Sequence, residues 1–136
     1  MNLRISVSSE KLAICSLPPD ATIPRWIFLL PFWSITRTGE ETSLILPEDK
    51  IPAGWKSESG WRALKVEGPL DFSLTGILES IAAPLAKAGI SIFAVSTFDT
   101  DYVLVKDERL EQARKALADA GFEVIENPKA DRESND

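Results

Sequence analysis

The second half of the chain predicts an α+β fold, and three observations carry that prediction. Apolar residues recur at helical spacing between about Ser73 and Ala88, with Leu74, Ile77, Leu78, Ile81 and Leu85 on one stripe. Strand-like runs surround this segment at Trp61–Glu67, Ile90–Phe98 and Tyr102–Lys106. Finally, Leu85-Ala86-Lys87-Ala88-Gly89-Ile90 is echoed by Leu117-Ala118-Asp119-Ala120-Gly121-Phe122. Each copy reads as a helix end, a left-handed glycine and a strand start. The order strand, helix, strand, strand, helix, strand is a split βαβ arrangement, with an antiparallel sheet and two helices on one face.

In chain order, the apolar runs around Leu3–Val7 and Leu12–Leu17 flank Ser8-Ser9-Glu10-Lys11 and predict a hairpin. Pro18-Pro19-Asp20 is a turn, and Thr22 is expected to cap a short helical or irregular piece ending before Pro31. Phe32–Thr38 and Thr42–Leu46 read as strands joined by Gly39-Glu40-Glu41. Pro47–Gly60 is rich in Pro, Gly, Ser and charge and reads as a loop between two halves. Trp61–Glu67 is a strand closed by Gly68-Pro69, and Asp71 or Ser73 is expected to cap the helix that Gly89 ends. Pro84 lies inside this helix, where it removes the bond to the Ser80 carbonyl and is expected to kink or confine it. Ile90–Phe98 is almost continuously apolar, as expected of a strand buried on both faces. Asp99-Thr100-Asp101 turns the chain into Tyr102–Lys106. Asp107 is expected to cap a last helix with Leu110, Ala113 and Leu117 inward, and Phe122–Glu126 is the final strand. Asn127–Asp136 is polar and expected to be disordered. The aromatic-rich first half (Trp26, Phe28, Phe32, Trp33) or a second subunit is expected to cover the other sheet face; the four tryptophans are expected to be buried between the halves, a ligand surface being the alternative.

The 136 residues suit one compact domain or two very small ones sharing a core. A chain this long buries roughly 65–70% of its unfolded surface and needs no disulfide or metal to fold. The single cysteine, Cys15, cannot bridge internally, and no signal-like or membrane-length apolar run is present, so a cytoplasmic location is expected and no membrane association. With 21 acidic and 15 basic residues the net charge is −6, and no Lys/Arg cluster offers a nucleic acid the positive surface it needs. Histidine is absent, which removes the commonest general base and metal ligand. Neither a metal, a cofactor nor a catalytic constellation is expected. Asp99 and Asp101, two apart at a turn, do not make an acid–base dyad, and Cys15 has no histidine to activate it.

GPLDFSLTGILESIAAPLAKAGISIFAVSTFDTDYVLV, residues 68–105, resembles the paired ACT modules of stand-alone bacterial ACT proteins and of the cytosolic arginine sensors called CASTOR. The shared features are a helix ending in Ala88-Gly89-Ile90-Ser91, followed by Ser96-Thr97-Phe98 and, three residues on, Asp101. ACT domains are small regulatory folds that bind amino acids in many biosynthetic enzymes. The resemblance covers residues 61–126 and implies a ferredoxin-like βαββαβ ACT fold. On that reading residues 61–127 form a complete ACT domain, residues 1–60 a divergent, shortened ACT-like unit, and residues 128–136 a tail.

Two candidate ligand-binding segments follow. The helix start, Asp71, Phe72, Ser73 and Leu74, offers free backbone N–H groups to a carboxylate, although ordinary capping explains the same residues. Ser96, Thr97, Phe98 and Asp101 would, by the resemblance, lend backbone and hydroxyl groups, with Asp101 receiving a cationic group; a solvated turn is the plain alternative. The expected function is a non-catalytic regulatory module that binds a small amino acid or related metabolite at an ACT–ACT interface and signals through association, as a homo-oligomer or with a protein partner. The alternative is a ligand-free interaction or oligomerisation module.

Overall fold

Alternation along the first strand accounts for much of the architecture. In the computed structural model, which describes residues 3–67 and 76–126, β1 (Arg4–Leu17) is one continuous strand of 14 residues. It replaces the expected hairpin. Ser8-Ser9-Glu10-Lys11 contains no Gly, Asn or Pro to reverse the chain. Its polar groups are served in extended form: the Ser8 hydroxyl accepts from the Ala63 N–H at 3.0 Å, and the Ser8 carbonyl accepts from Arg62 Nε at 2.7 Å. Ile5, Val7, Ala13 and Cys15 have the same parity and are buried, whereas Ser9 and Lys11 between them are exposed. The polar interruption thus separates two cores along one strand. The chain correspondingly divides into one unit of Met1–Ser9 with Arg62–Asp136 and another of Glu10–Trp61.

In the Glu10–Trp61 unit, β3 (Thr42–Pro47) lies between β1 and β2 (Ser34–Arg37), antiparallel to both. Leu17 stands opposite Thr42, and Ser34 opposite Ile45. The β2–β3 turn closes as expected, with Thr38 Oγ1 accepting from the Glu40 and Glu41 N–H groups at 3.1 and 3.2 Å. Ala13, Cys15, Ile27, Leu44 and Leu46 form the core. Ile27 reaches it from a 3₁₀ turn, Arg25–Leu29, whose preceding cap is Pro24 and not Thr22. Two further expectations change here. Of the tryptophans, Trp61 is buried as expected, but Trp26 and Trp33 remain 37% and 41% exposed and Phe28 50%, with Trp26 stacked on Trp55 at 6.4 Å and Phe28 edge-on to Trp33 at 5.0 Å. And β4 (Lys56–Val66) begins inside the segment read as a loop. Gly60 passes through φ 84° there, its N–H held by Glu48 Oε1 at 2.9 Å.

The other unit contains the ends of β1 and β4, α1 (Ile77–Lys87), β5 (Phe93–Ser96), β6 (Asp101–Lys106), α2 (Leu110–Asp119) and β7 (Glu123–Glu126). Its strand order is β7-β1-β4-β6-β5. The split βαβ order is present, but the sheet is not wholly antiparallel. Arg4–Val7 runs parallel to Glu123–Glu126 and stands between β7 and β4. Ile5, Val7, Leu64, Val66, Val103 and Val105 share a core with Ile77, Ile81 and Leu85 of α1 and Leu110, Ala113 and Leu117 of α2. Leu78, read as part of the buried stripe, is exposed on α1. β5 is an edge strand whose residues alternate in burial, so it is not covered on both faces as expected.

Both helices end as the repeated motif predicts. Gly89 takes φ 74°, its N–H donates to the Ala86 carbonyl at 3.0 Å, and the Ile90 N–H donates to the Leu85 carbonyl at 3.0 Å. Gly121, Ala118, Phe122 and Leu117 repeat that pattern, with φ 101° at Gly121. These are Schellman closures, and Ile90 and Phe122 are the buried residues that accompany them. The helix starts differ from expectation. The N-cap of α1 is Gly76 with φ 77°, and neither helix has a side-chain cap. Asp71 and Ser73, like the polar tail Asn127–Asp136, lie outside the described residues. Asp107, read as the α2 cap, instead accepts from Arg62 at 2.9 Å.

Candidate functional site

The β5–β6 hairpin brings four of the predicted site residues together. β5 and β6 pair antiparallel with Ser96 opposite Asp101, so Thr97, Phe98, Asp99 and Thr100 form the connecting loop. The loop closes on itself: the Thr97 N–H donates to the Thr100 carbonyl at 2.8 Å, and the Thr97 hydroxyl donates to the same carbonyl at 3.1 Å. In return the Thr100 N–H donates to Thr97 Oγ1 at 3.2 Å. Ser96 Oγ donates to Asp101 Oδ1 at 2.6 Å, which orients the carboxylate at the mouth of the hairpin. Phe98 is 79% exposed at the tip. An oriented carboxylate and an exposed aromatic ring on one hairpin suit a small molecule carrying both a cationic and an apolar part.

Thr100 is the residue of the hairpin that sequence reasoning misses. It is buried, and its hydroxyl donates to the carbonyl of Val66, the last residue of β4. A buried hydroxyl in an otherwise exposed polar turn is its structural mark; the string Asp99-Thr100-Asp101 carries no signal of it. The other predicted segment, Asp71, Phe72, Ser73 and Leu74, lies outside the described residues.

Elsewhere, Cys15 lies in the core of the Glu10–Trp61 unit, and burial pushes its thiol up to about 11. A thiol so placed is a small apolar residue rather than a nucleophile. Among the described residues, no three His, Cys, Asp or Glu side chains stand close enough to hold a metal ion, and no helix is long and apolar enough to cross a membrane.

Residues 56–119 match the ACT domain family model, a stretch that includes β4, both helices and the hairpin. A crystal structure of a protein from Agrobacterium tumefaciens is 36% identical in sequence and superposes with a TM-score of 0.87, over 93% of this chain and 95% of that one. The chain belongs to the ACT-domain family. Within it, residues 10–54 match a separate model of an N-terminal domain. The human cytosolic arginine sensor for mTORC1 subunit 1 is 36% identical over 115 residues, covering 82% of this chain and 34% of the human protein. The chain thus spans about a third of the length of the arginine-sensor relatives it matches. Aspartate kinase from Clostridium acetobutylicum, at 14% identity, has the same fold over 88% of this chain and 35% of its own, with a TM-score of 0.67. The ferredoxin-like α+β architecture is that of the ACT domain.

Proposed function

We propose that this ACT-domain chain is a non-catalytic regulatory module that binds a small amino acid through the Ser96–Asp101 hairpin. Asp101 accepts the ligand's cationic group, Phe98 meets its apolar part, and Asp71–Leu74 contribute backbone N–H groups. The site lies at an interface between ACT modules, and occupancy is passed on by favouring one association state, in a cytoplasmic setting. The observation that supports this most is the 36% identity to a protein named as an arginine sensor. An aligned stretch of 82% of 136 residues includes the hairpin wherever it begins.

The test is a thermal-shift series against the twenty amino acids. A ligand present at 100 times its Kd adds about 2.7 kcal/mol of stability. At least one amino acid at millimolar concentration is expected to raise the melting temperature, L-arginine being the first to try. A flat series contradicts the reading.

One observation favours a second reading, a ligand-free interaction module. Trp26, Phe28, Leu29 and Trp33 are each exposed on the Glu10–Trp61 unit, and Phe28 and Trp33 pack edge to face. Exposed aromatic clusters commonly mark protein contacts. Under that reading the melting temperature depends on protein concentration but on no amino acid.

A further inference from the structure

We propose that Thr100 is a positioning residue for the Ser96–Asp101 hairpin: it fixes the height and tilt of the loop relative to β4, and amino-acid affinity depends on that placement. The inference rests on the binding role proposed above. The bonds between Thr97 and Thr100, and that between Ser96 and Asp101, are internal to the hairpin and travel with it. They set the shape of the loop, while the pairing of β6 with β4 holds the strands below it and leaves the tilt of the loop itself open. The Thr100 hydroxyl points the other way, donating to the carbonyl of Val66.

That carbonyl is a firm reference point. Val66 is fully buried within the core beneath α1 and α2. The next residue, Glu67, donates its N–H to the Arg4 carbonyl at 2.8 Å, so the end of β4 is also held from β1. Thr100 itself is 6% exposed, and its methyl and hydroxyl are therefore out of water. A buried hydroxyl must find a partner, and here the partner is backbone of the central sheet. The hairpin's edge strand β5 has neighbours on one side only, which makes a tie from the loop to β4 more consequential. Asp101 follows Thr100 directly, so any rotation of the loop carries the carboxylate with it.

The experiment compares wild type, Thr100→Val and Thr100→Ser by calorimetric titration with each of the twenty amino acids, beside urea unfolding. Thr100→Val keeps the shape and removes the hydroxyl that donates to the Val66 carbonyl. The proposal expects the Kd of the bound amino acid to rise about tenfold in Thr100→Val under conditions where urea unfolding shows it fully folded. Thr100→Ser should return to within about threefold of wild type. A merely structural threonine would lower the unfolding midpoint of Thr100→Val but leave affinity in the folded protein unchanged, and that outcome overturns the proposal while leaving the binding role standing. If the wild type binds none of the twenty, the binding role fails and the proposal with it. Should Thr100→Val not fold, Thr100→Ala is titrated in its place: a Kd about tenfold weaker in the folded variant supports the proposal, and a Kd within about threefold of wild type refutes it.

Discussion

Cys15 shows how much one buried atom decides. Its side chain shares a face of β1 with Ala13 and packs in one core with Leu44 and Leu46, and removal from water pushes the thiol from 9.0 up to about 11. The folded state then holds the neutral form over a range where the unfolded chain ionises. Stability is therefore unaffected below pH 9 and falls as the pH climbs from 9 towards 11, by up to about 1.4 kcal/mol per pH unit. The measurement is the difference between wild type and Cys15→Ala in urea unfolding at pH 8, 9 and 10, which isolates the thiol. The difference is expected to shrink as the pH rises, since the alanine variant lacks the thiol contribution. A difference independent of pH counts against a buried neutral thiol. The burial of Cys15 was legible from its place in an apolar run, whereas that of Thr100 was not, because it depends on a backbone carbonyl more than thirty positions away in the chain (Val66).

At the scale of elements, the features most legible in the sequence were those closed within a few residues. Each Leu-Ala-x-Ala-Gly-apolar string builds a complete helix terminus, with its own hydrogen bonds and its own buried residue. The two glycines make a quantitative test. A Cβ added at Gly89 or Gly121 meets nothing within 4 Å, so the cost of substitution is conformational and not steric crowding by neighbours. Gly89→Ala and Gly121→Ala are each expected to cost about 1–2 kcal/mol in urea unfolding. Gly89→Asn should recover most of that loss, because φ 74° is near the left-handed basin that asparagine tolerates. Gly121→Asn should recover less at φ 101°. Equal recovery at both sites would show that these dihedrals do not govern the cost. The strands were harder to read than the helix ends. Ser8-Ser9-Glu10-Lys11 resembles a turn until Arg62 and Ala63 are seen to serve it, and those partners come from β4. The continuous apolar character of Ile90–Phe98 could not reveal that β5 is an edge strand, since strand order is a property of pairing and not of composition.

Across the whole molecule, the same limitation explains the division into units. The first nine residues share a unit with Arg62–Asp136 because Arg4–Val7 pairs in parallel with Glu123–Glu126, over more than a hundred intervening residues. No local pattern announces that pairing. The family resemblance, by contrast, was legible in residues 68–105 because the helix end and the Ser96–Asp101 hairpin are both compact signatures. The same compactness gives the functional reading its sharpest consequence. If Ser96 orients Asp101 to receive a cationic group, the carboxylate is indispensable to binding but peripheral to the core. The most direct measurement is calorimetric titration of wild type and Asp101→Ala with the amino acid that most stabilises the wild type. The account predicts saturable binding to the wild type and a Kd at least about tenfold weaker in Asp101→Ala, with the variant still folded. The same Kd in both proteins would contradict it.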